Sequence, residues 1–266
     1  MVKREDLNHR WVSGNKWWKL KYNLSEARRL GHYTLLTFGG AFSNHIYATA
    51  AAAKELGFKS IGIIRGERVL PLNNTLSFAE QSGMKLHFVS REEYRKKTSD
   101  EFVDSLRKQF GEFYLIPEGG TNELAIRGCA EFAREKIAAT LCDYVCLPVG
   151  TGGTIAGIIS GLTDDVKVIG FPVLKDNATS YQEIKKQLGN KSHRWQLQTD
   201  YHFGGYAKTS PDLKNFIEEM RSLHLPLDPV YTGKMMYGIF DLAKKDFFPP
   251  GSTVLAIHTG GLQGNL

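Results

Sequence analysis

Along the chain, short runs of β-branched and aromatic residues alternate with longer stretches whose apolar positions recur every three or four residues. The first pattern marks strands buried on both faces, the second amphipathic helices. Strands are predicted over Tyr33–Phe38, Ser60–Arg65, Lys85–Val89, Phe113–Ile116, Tyr144–Val149, Val166–Phe171 and Thr253–His258. Between them the spacing predicts helices over Asn44–Leu56, Asn74–Ser82, Ser99–Phe110 and Asn122–Thr140. A small-residue helix follows the turn Gly150–Thr154 as far as Leu162, and further helices are predicted at Ser180–Leu188, Pro211–Leu223 and Gly233–Lys245. Gly57 and Gly83 stand where a helix stop is needed, and amides or hydroxyls stand at several starts. Strand and helix alternate throughout. The expected fold class is therefore α/β, with parallel sheets covered by helices on both faces, either as two sheets or as one long one. The turn Pro117-Glu118-Gly119-Gly120 is the single place that suggests a domain boundary.

Composition narrows the function classes. The chain has 266 residues, 42% hydrophobic and 23% charged, enough for a substantial core and without a tract biased towards disorder. Its net charge of +6 is spread over clusters such as Arg28-Arg29, Arg95-Lys96-Lys97 and Lys185-Lys186, which read as solvated helix faces. Basic and aromatic residues do not interleave into a platform, so no nucleic-acid partner is expected, and the excess charge suits a small anionic ligand. Three cysteines, Cys129, Cys142 and Cys146, lack the pair-of-pairs spacing of a zinc site. No metal is expected, and a reduced, cytoplasmic setting is. No apolar run approaches membrane-spanning length, so no membrane partner is expected.

Candidate chemistry begins at Lys16, which follows the turn-forming triplet Ser13-Gly14-Asn15 and opens an apolar, helix-compatible run containing Trp17, Trp18, Leu20 and Leu24. Partial desolvation there would disfavour the ammonium and supply a neutral amine able to attack a carbonyl carbon. Taken by itself the window equally describes a surface lysine whose stem covers two indoles. Four later features change the balance. Gly150-Thr151-Gly152-Gly153-Thr154 lies between a strand and a helix, where converging backbone N–H groups, a helix N-terminus and two hydroxyls suit a phosphate. It lacks the lysine of a nucleoside triphosphate loop and the spacing of a dinucleotide loop. Gly39-Gly40-Ala41-Phe42-Ser43-Asn44-His45 gathers a hydroxyl, an amide and an imidazole at a helix start. Tyr231 and Thr232 precede another helix, and Tyr206 lies in a Gly-rich loop. His258, Thr259 and Gly260 close the last strand and are placed to border the same crevice. A reactive lysine, a phosphate cradle without nucleotide signatures and a Ser-Asn pair together suggest pyridoxal 5'-phosphate.

Gly14-Asn15-Lys16-Trp17-Trp18-Lys19-Leu20, Gly40-Ala41-Phe42-Ser43-Asn44-His45, Thr151-Gly152-Gly153-Thr154 and Asp228-Pro229-Val230-Tyr231-Thr232-Gly233-Lys234 occur in this order along the chain. With them it resembles the 1-aminocyclopropane-1-carboxylate deaminase / D-cysteine desulfhydrase family, pyridoxal-phosphate enzymes with a two-domain open parallel-sheet fold of the tryptophan synthase β-like type. The resemblance implies a small domain over 20–120 and a larger one from 1–19 plus 121–266. It implies that Lys16 carries the cofactor and shuttles the α-proton, that Asn44 bonds the ring oxygen, and that Thr151, Gly152, Gly153 and Thr154 hold the phosphate. Ser43, Asn44 and His45 would hold the substrate carboxylate, and Tyr206 and Tyr231 would match two active-site tyrosines. A homodimer is implied as well.

Two positions bear on the choice within the family. Thr232 stands where ring-opening members carry a glutamate facing the pyridine nitrogen, and His45 where they carry glutamine. Both favour α,β-elimination on a small amino acid, D-cysteine first, giving pyruvate, ammonia and sulfide. Ring opening of the cyclopropane acid, or a catalytically silent relative, are the alternatives. Trp18 replaces the family's arginine, which implies an altered surface or interdomain contact.

Overall fold

The structure is a computed structural model that describes residues 1–175, 177–189 and 194–265. In chain order its elements are β1 (Val2–Arg4), α1 (Asn15–Arg29), β2 (Thr34–Gly40), α2 (Asn44–Leu56), β3 (Lys59–Arg65), α3 (Asn74–Gln81) and β4 (Met84–Val89). There follow α4 (Arg91–Arg95), α5 (Asp100–Phe110), β5 (Tyr114–Ile116), α6 (Glu123–Phe132), β6 (Tyr144–Val149), α7 (Gly153–Gly161) and β7 (Lys167–Pro172). The chain ends with α8 (Asn177–Leu188), β8 (Trp195–Leu197), α9 (Pro211–Ser222), α10 (Thr232–Lys244) and β9 (Val254–His258). The strands form two separate parallel sheets, ordered β4-β3-β2-β5 and β1-β9-β6-β7-β8. Both chain ends supply strands of the larger sheet, while the smaller one is contiguous in sequence.

Each sheet is buried on both faces, as parallel sheets must be. In the larger sheet the two-residue period of the strands sends Val145, Leu147, Val149, Leu255 and Ile257 to one core, where they meet residues of α6, α7 and α8. It sends Cys146, Ile169, Phe171 and Ala256 to the opposite core, which α9 and α10 complete. In the smaller sheet Leu35 faces α1 and α2, whereas Leu36, Phe38, Ile61 and Ile63 face α5. Helices α6 and α7 lie unusually close, because a side chain at Gly157 would meet Cys129 Cβ at 2.3 Å. That is why the helix after the phosphate turn is written in small residues.

The predicted elements recur with shifts of a residue or two, and the departures have local reasons. The long helix expected over Asn122–Thr140 runs as α-helix only to Phe132, then as a π turn over Ala133–Ile137. The wider turn lets Phe132, Ala133 and Ile137 all enter the core. Strands β1 and β8 are three-residue edge strands with few buried positions, too short to produce an alternation. Trp18 is not a surface residue. It is buried against Phe132, with ring centroids 5.3 Å apart, and its indole N–H donates to Glu5 at 2.8 Å.

Candidate active site

Helix starts show where the crevice lies. Helices α2, α3, α4, α5, α6 and α9 each begin on a serine or asparagine whose side chain accepts a backbone N–H of the first turn. The residues just before α1, α7 and α10 make no such bond. These three helices carry Lys16, the phosphate-type turn and the Tyr231-Thr232 pair. The Asn15 N–H of α1 is taken by the Thr259 carbonyl and the Thr232 N–H of α10 by the Asp228 carboxylate. It is therefore chiefly α7 that directs open N–H groups and partial positive charge at the carboxyl ends of the strands, where a parallel fold binds its ligand.

Lys16 is put there by Gly14. A Cβ at Gly14 would lie 1.9 Å from the Thr259 carbonyl oxygen, and its φ of 68° suits glycine. Only this close approach lets the Asn15 N–H reach that oxygen, at 3.2 Å, and pin α1 to the end of β9. The Asn15 amide then donates to Thr154 Oγ1 at 2.8 Å, joining the lysine segment to the Gly150–Thr154 turn. Lys16 keeps partial access to solvent, yet burial lowers its pKa to about 8. One turn on, fully buried Lys19 is lowered to about 7, by burial and then by the charge of Lys16. Among the described residues neither amine has a carboxylate partner, and the neighbouring Cys129 thiol, pushed up to about 11 by burial, cannot serve as one at neutral pH.

Lys19 Nζ donates to Thr121 Oγ1 at 2.8 Å, and that hydroxyl lies 2.6 Å from Thr151 Oγ1. A side chain on Gly153 would run into Thr121 at 2.8 Å, so the cradle is bounded by hydroxyls and backbone N–H groups with a cation beside it. This donor set fits a phosphate: every group it offers is a donor or a positive charge. Lys19 and Thr121 escaped the sequence reading, although Lys19 sits at i+3 from Lys16, on the same helical face.

Ser43 caps α2, accepting the Ile46 N–H at 3.3 Å. Asn44 Oδ1 accepts from Gln263 Nε2, which leaves the Asn44 amide N–H groups against Gly261 free to donate. His45 is buried, and its tautomer follows from its neighbours. Thr37 Oγ1 must donate to the Ile116 carbonyl at 2.8 Å, because a carbonyl only accepts. The same hydroxyl therefore accepts from His45 Nε2–H at 2.8 Å, and His45 Nδ1 is left as a buried lone pair with no hydrogen-bond partner. Burial, with Lys16 and Lys19 nearby, holds the imidazole pKa well below its ordinary value, so the ring is neutral.

Tyr206 and Tyr231 meet edge to face, with ring centroids 6.1 Å apart. Burial raises both phenols, Tyr231 well above its ordinary value. Thr232 is fully buried. Its hydroxyl donates to Asp228 Oδ2 at 2.6 Å and accepts the Asp228 N–H at 3.0 Å, while the Asp228 carboxylate also collects the N–H groups of Val230, Tyr231 and Thr232. Asp228 is thus the cap of α10, reached from outside the helix. His258, expected at the crevice, instead packs between Asp6 (3.3 Å) and the Pro226 carbonyl (2.8 Å).

The profile of the pyridoxal-phosphate dependent enzymes matches residues 1–260. The chain belongs to that family. A putative 1-aminocyclopropane-1-carboxylate deaminase of Pyrococcus abyssi is 34% identical over 99% of this chain and 84% of its own length. A bifunctional D-cysteine desulfhydrase/1-aminocyclopropane-1-carboxylate deaminase of Arabidopsis thaliana is 33% identical over 99% of this chain and 72% of its own. The crystal structure of an ACC deaminase homologue superposes with a TM-score of 0.84 at 30% identity, covering 100% of this chain and 85% of that one. The fold is that of the tryptophan synthase β-like pyridoxal-phosphate enzymes. Among the described residues no helix is long and apolar enough to cross a membrane, and no group of three metal-ligating side chains occurs.

Proposed function

We propose that the protein catalyses α,β-elimination on a small amino acid, D-cysteine first, by the overall reaction D-cysteine + H₂O → pyruvate + NH₃ + H₂S. The Klebsiella pneumoniae D-cysteine desulfhydrase, 29% identical over 98% of this chain, supports this substrate class. Lys16 would carry the cofactor aldehyde, Asn44 the ring oxygen, and Thr151, Gly152, Gly153 and Thr154 the phosphate, joined by Lys19 and Thr121. Bound, pyridoxal phosphate supplies an electron sink for the charge left when the α-proton departs. The Lys16 amine, with its pKa near 8, is matched to taking that proton near neutral pH. Ser43 and the N-terminal N–H groups of α2 would orient the substrate carboxylate. His45, expected with Ser43 and Asn44 to hold the substrate carboxylate, would instead contribute its Nδ1 lone pair, which accepts a hydrogen bond from an N–H or S–H group and repels a carboxylate. Tyr206 and Tyr231, both protonated at neutral pH, would stand at the departing substituent, with a proton available to the sulfur.

The observation that carries elimination over ring opening is the state of Thr232. Its one hydrogen is engaged by Asp228 and its oxygen by the Asp228 N–H, so it offers the ring-nitrogen position no acid. A thiolate leaves readily enough to need less help from that end of the sink than a cyclopropane carbon does. The smaller sheet falls wholly within 20–120, which supports that stretch as the small domain. Assay of the purified protein with pyridoxal phosphate is expected to release sulfide from D-cysteine. The converse result, 2-oxobutyrate from 1-aminocyclopropane-1-carboxylate without sulfide from D-cysteine, replaces this reading by ring opening.

A further inference from the structure

Lys234 lies in the first turn of α10, three residues after Tyr231, and is 1% exposed. Its amine is not spent on a carboxylate. Nζ donates to the carbonyl oxygens of His202, at 2.9 Å, and Gly205, at 2.8 Å. Those carbonyls belong to the loop that carries Tyr206. The loop has left-handed backbone at Phe203 (φ 52°), Gly204 (90°), Gly205 (113°) and Ala207 (57°). Two of these are not glycine, and such conformations persist only where surroundings over-determine them. The loop's own backbone bonds, Gly205 N–H to His202 O at 3.0 Å and Lys208 N–H to Gly205 O at 3.1 Å, end on the same two oxygens that Lys234 holds. One turn of α10 therefore presents Tyr231 and also grips the loop that brings Tyr206 against it.

We propose that Lys234 is a positioning residue: it fixes Tyr206 against Tyr231 and thereby sets the geometry of the tyrosine pair at the substrate's departing group. The proposal rests on the reading of those tyrosines given above. Burial lowers the Lys234 pKa to about 8, opposed by Asp228. A neutral amine still has two N–H donors for two carbonyls, so hydrogen bonding rather than charge is what the loop requires.

The test is a double-mutant cycle on the holoenzyme with D-cysteine, using Lys234→Met, Tyr206→Phe and both together. Lys234→Met keeps the length of the stem but leaves two buried carbonyls without their donor, and is expected to lower kcat/KM roughly ten- to a hundredfold. Its cofactor absorbance should be retained, and hydrogen exchange should quicken in 203–208 but not along α10. The double variant should be no slower than Tyr206→Phe alone, because the lysine then has no tyrosine to place. Wild-type kcat/KM in Lys234→Met, or losses that multiply in the double variant, would overturn the proposal and leave Lys234 a packing clip. Wild-type kcat/KM in Tyr206→Phe would instead remove the reading of the tyrosine pair, and the proposal with it. Should Lys234→Met not accumulate as folded protein, Lys234→Gln takes its place with criteria of its own, since its amide keeps two N–H donors on a stem one bond shorter. Then kcat/KM near wild type with unchanged exchange in 203–208 supports the proposal, and a loss of kcat/KM with unchanged exchange there overturns it.

Discussion

Two lysines one turn apart, one fully buried and the other partly so, and neither paired with an acid among the described residues, are an expensive arrangement unless an anion arrives. Lys19, through Thr121 and Thr151, is placed where that anion's phosphate would lie. Replacing Lys19 by methionine keeps the apolar stem and deletes the charge-assisted donor. The loss should weaken pyridoxal phosphate binding roughly tenfold or more, as read by absorbance titration; an unchanged Kd would separate Lys19 from the phosphate. Trp18 makes a second point at this scale. Its N–H is one of two donors to the buried Glu5 carboxylate, Asn8 being the other at 3.0 Å. Trp18→Phe should therefore destabilise the fold by about 1–3 kcal/mol in denaturant titration while leaving cofactor binding intact. The sequence made Lys16, Ser43, Asn44, the glycine-rich turn and the two tyrosines legible as candidates, because each sits in a local pattern with its own chemistry. Asp228 at the cap of α10 and the Thr121 bridge to Lys19 were not legible as parts of the site, since their partners lie in other segments or across a turn.

At the scale of elements, the strands were legible wherever both faces are buried, since burial writes a continuous apolar run. Edge strands β1 and β8 carry no such record. Pairing of β1 with β9 is a contact between the two chain ends and leaves no mark within either. It matters for the site, because the segment from β1 to α1 is what delivers Lys16, and Gly14 is its closest passage. A methyl group there cannot avoid the Thr259 carbonyl at 1.9 Å without moving the backbone of one segment or the other. Gly14→Ala should cost roughly 1–3 kcal/mol in stability. It should also displace Lys16, so that borohydride trapping of the cofactor on this lysine falls away before the protein unfolds. Full trapping in a destabilised but folded variant would show that α1 is held by its packing on α6 and not by this contact.

For the molecule as a whole, the buried amines make stability a function of pH, with a sign that can be worked out. Lys16, Lys19 and Lys234 have folded pKa values of about 8, about 7 and about 8, against an ordinary 10.5. Above about pH 7 the unfolded chain binds more of these protons than the folded one, so unfolding becomes harder as pH rises. His45, held well below its ordinary value, adds the same slope at lower pH. Above about pH 9 the balance turns. Burial raises the thiols of Cys129, Cys142 and Cys146, and several tyrosines are raised too. There the unfolded chain gives up its protons first. The cofactor-free protein should consequently show a denaturation midpoint that climbs from pH 7 to a maximum near pH 9 and then declines. Lys19→Met should flatten the climb, having removed the amine with the lowest of the three values. Saturating pyridoxal phosphate should flatten it as well, since the ligand takes up Lys16 and sets a phosphate beside Lys19. A midpoint in the cofactor-free protein that is level or falling between pH 7 and 9 would mean that these amines are hydrated in the folded state. The same finding would withdraw the desolvation that makes Lys16 a competent base near neutral pH, so one titration of stability bears directly on the chemistry of the site.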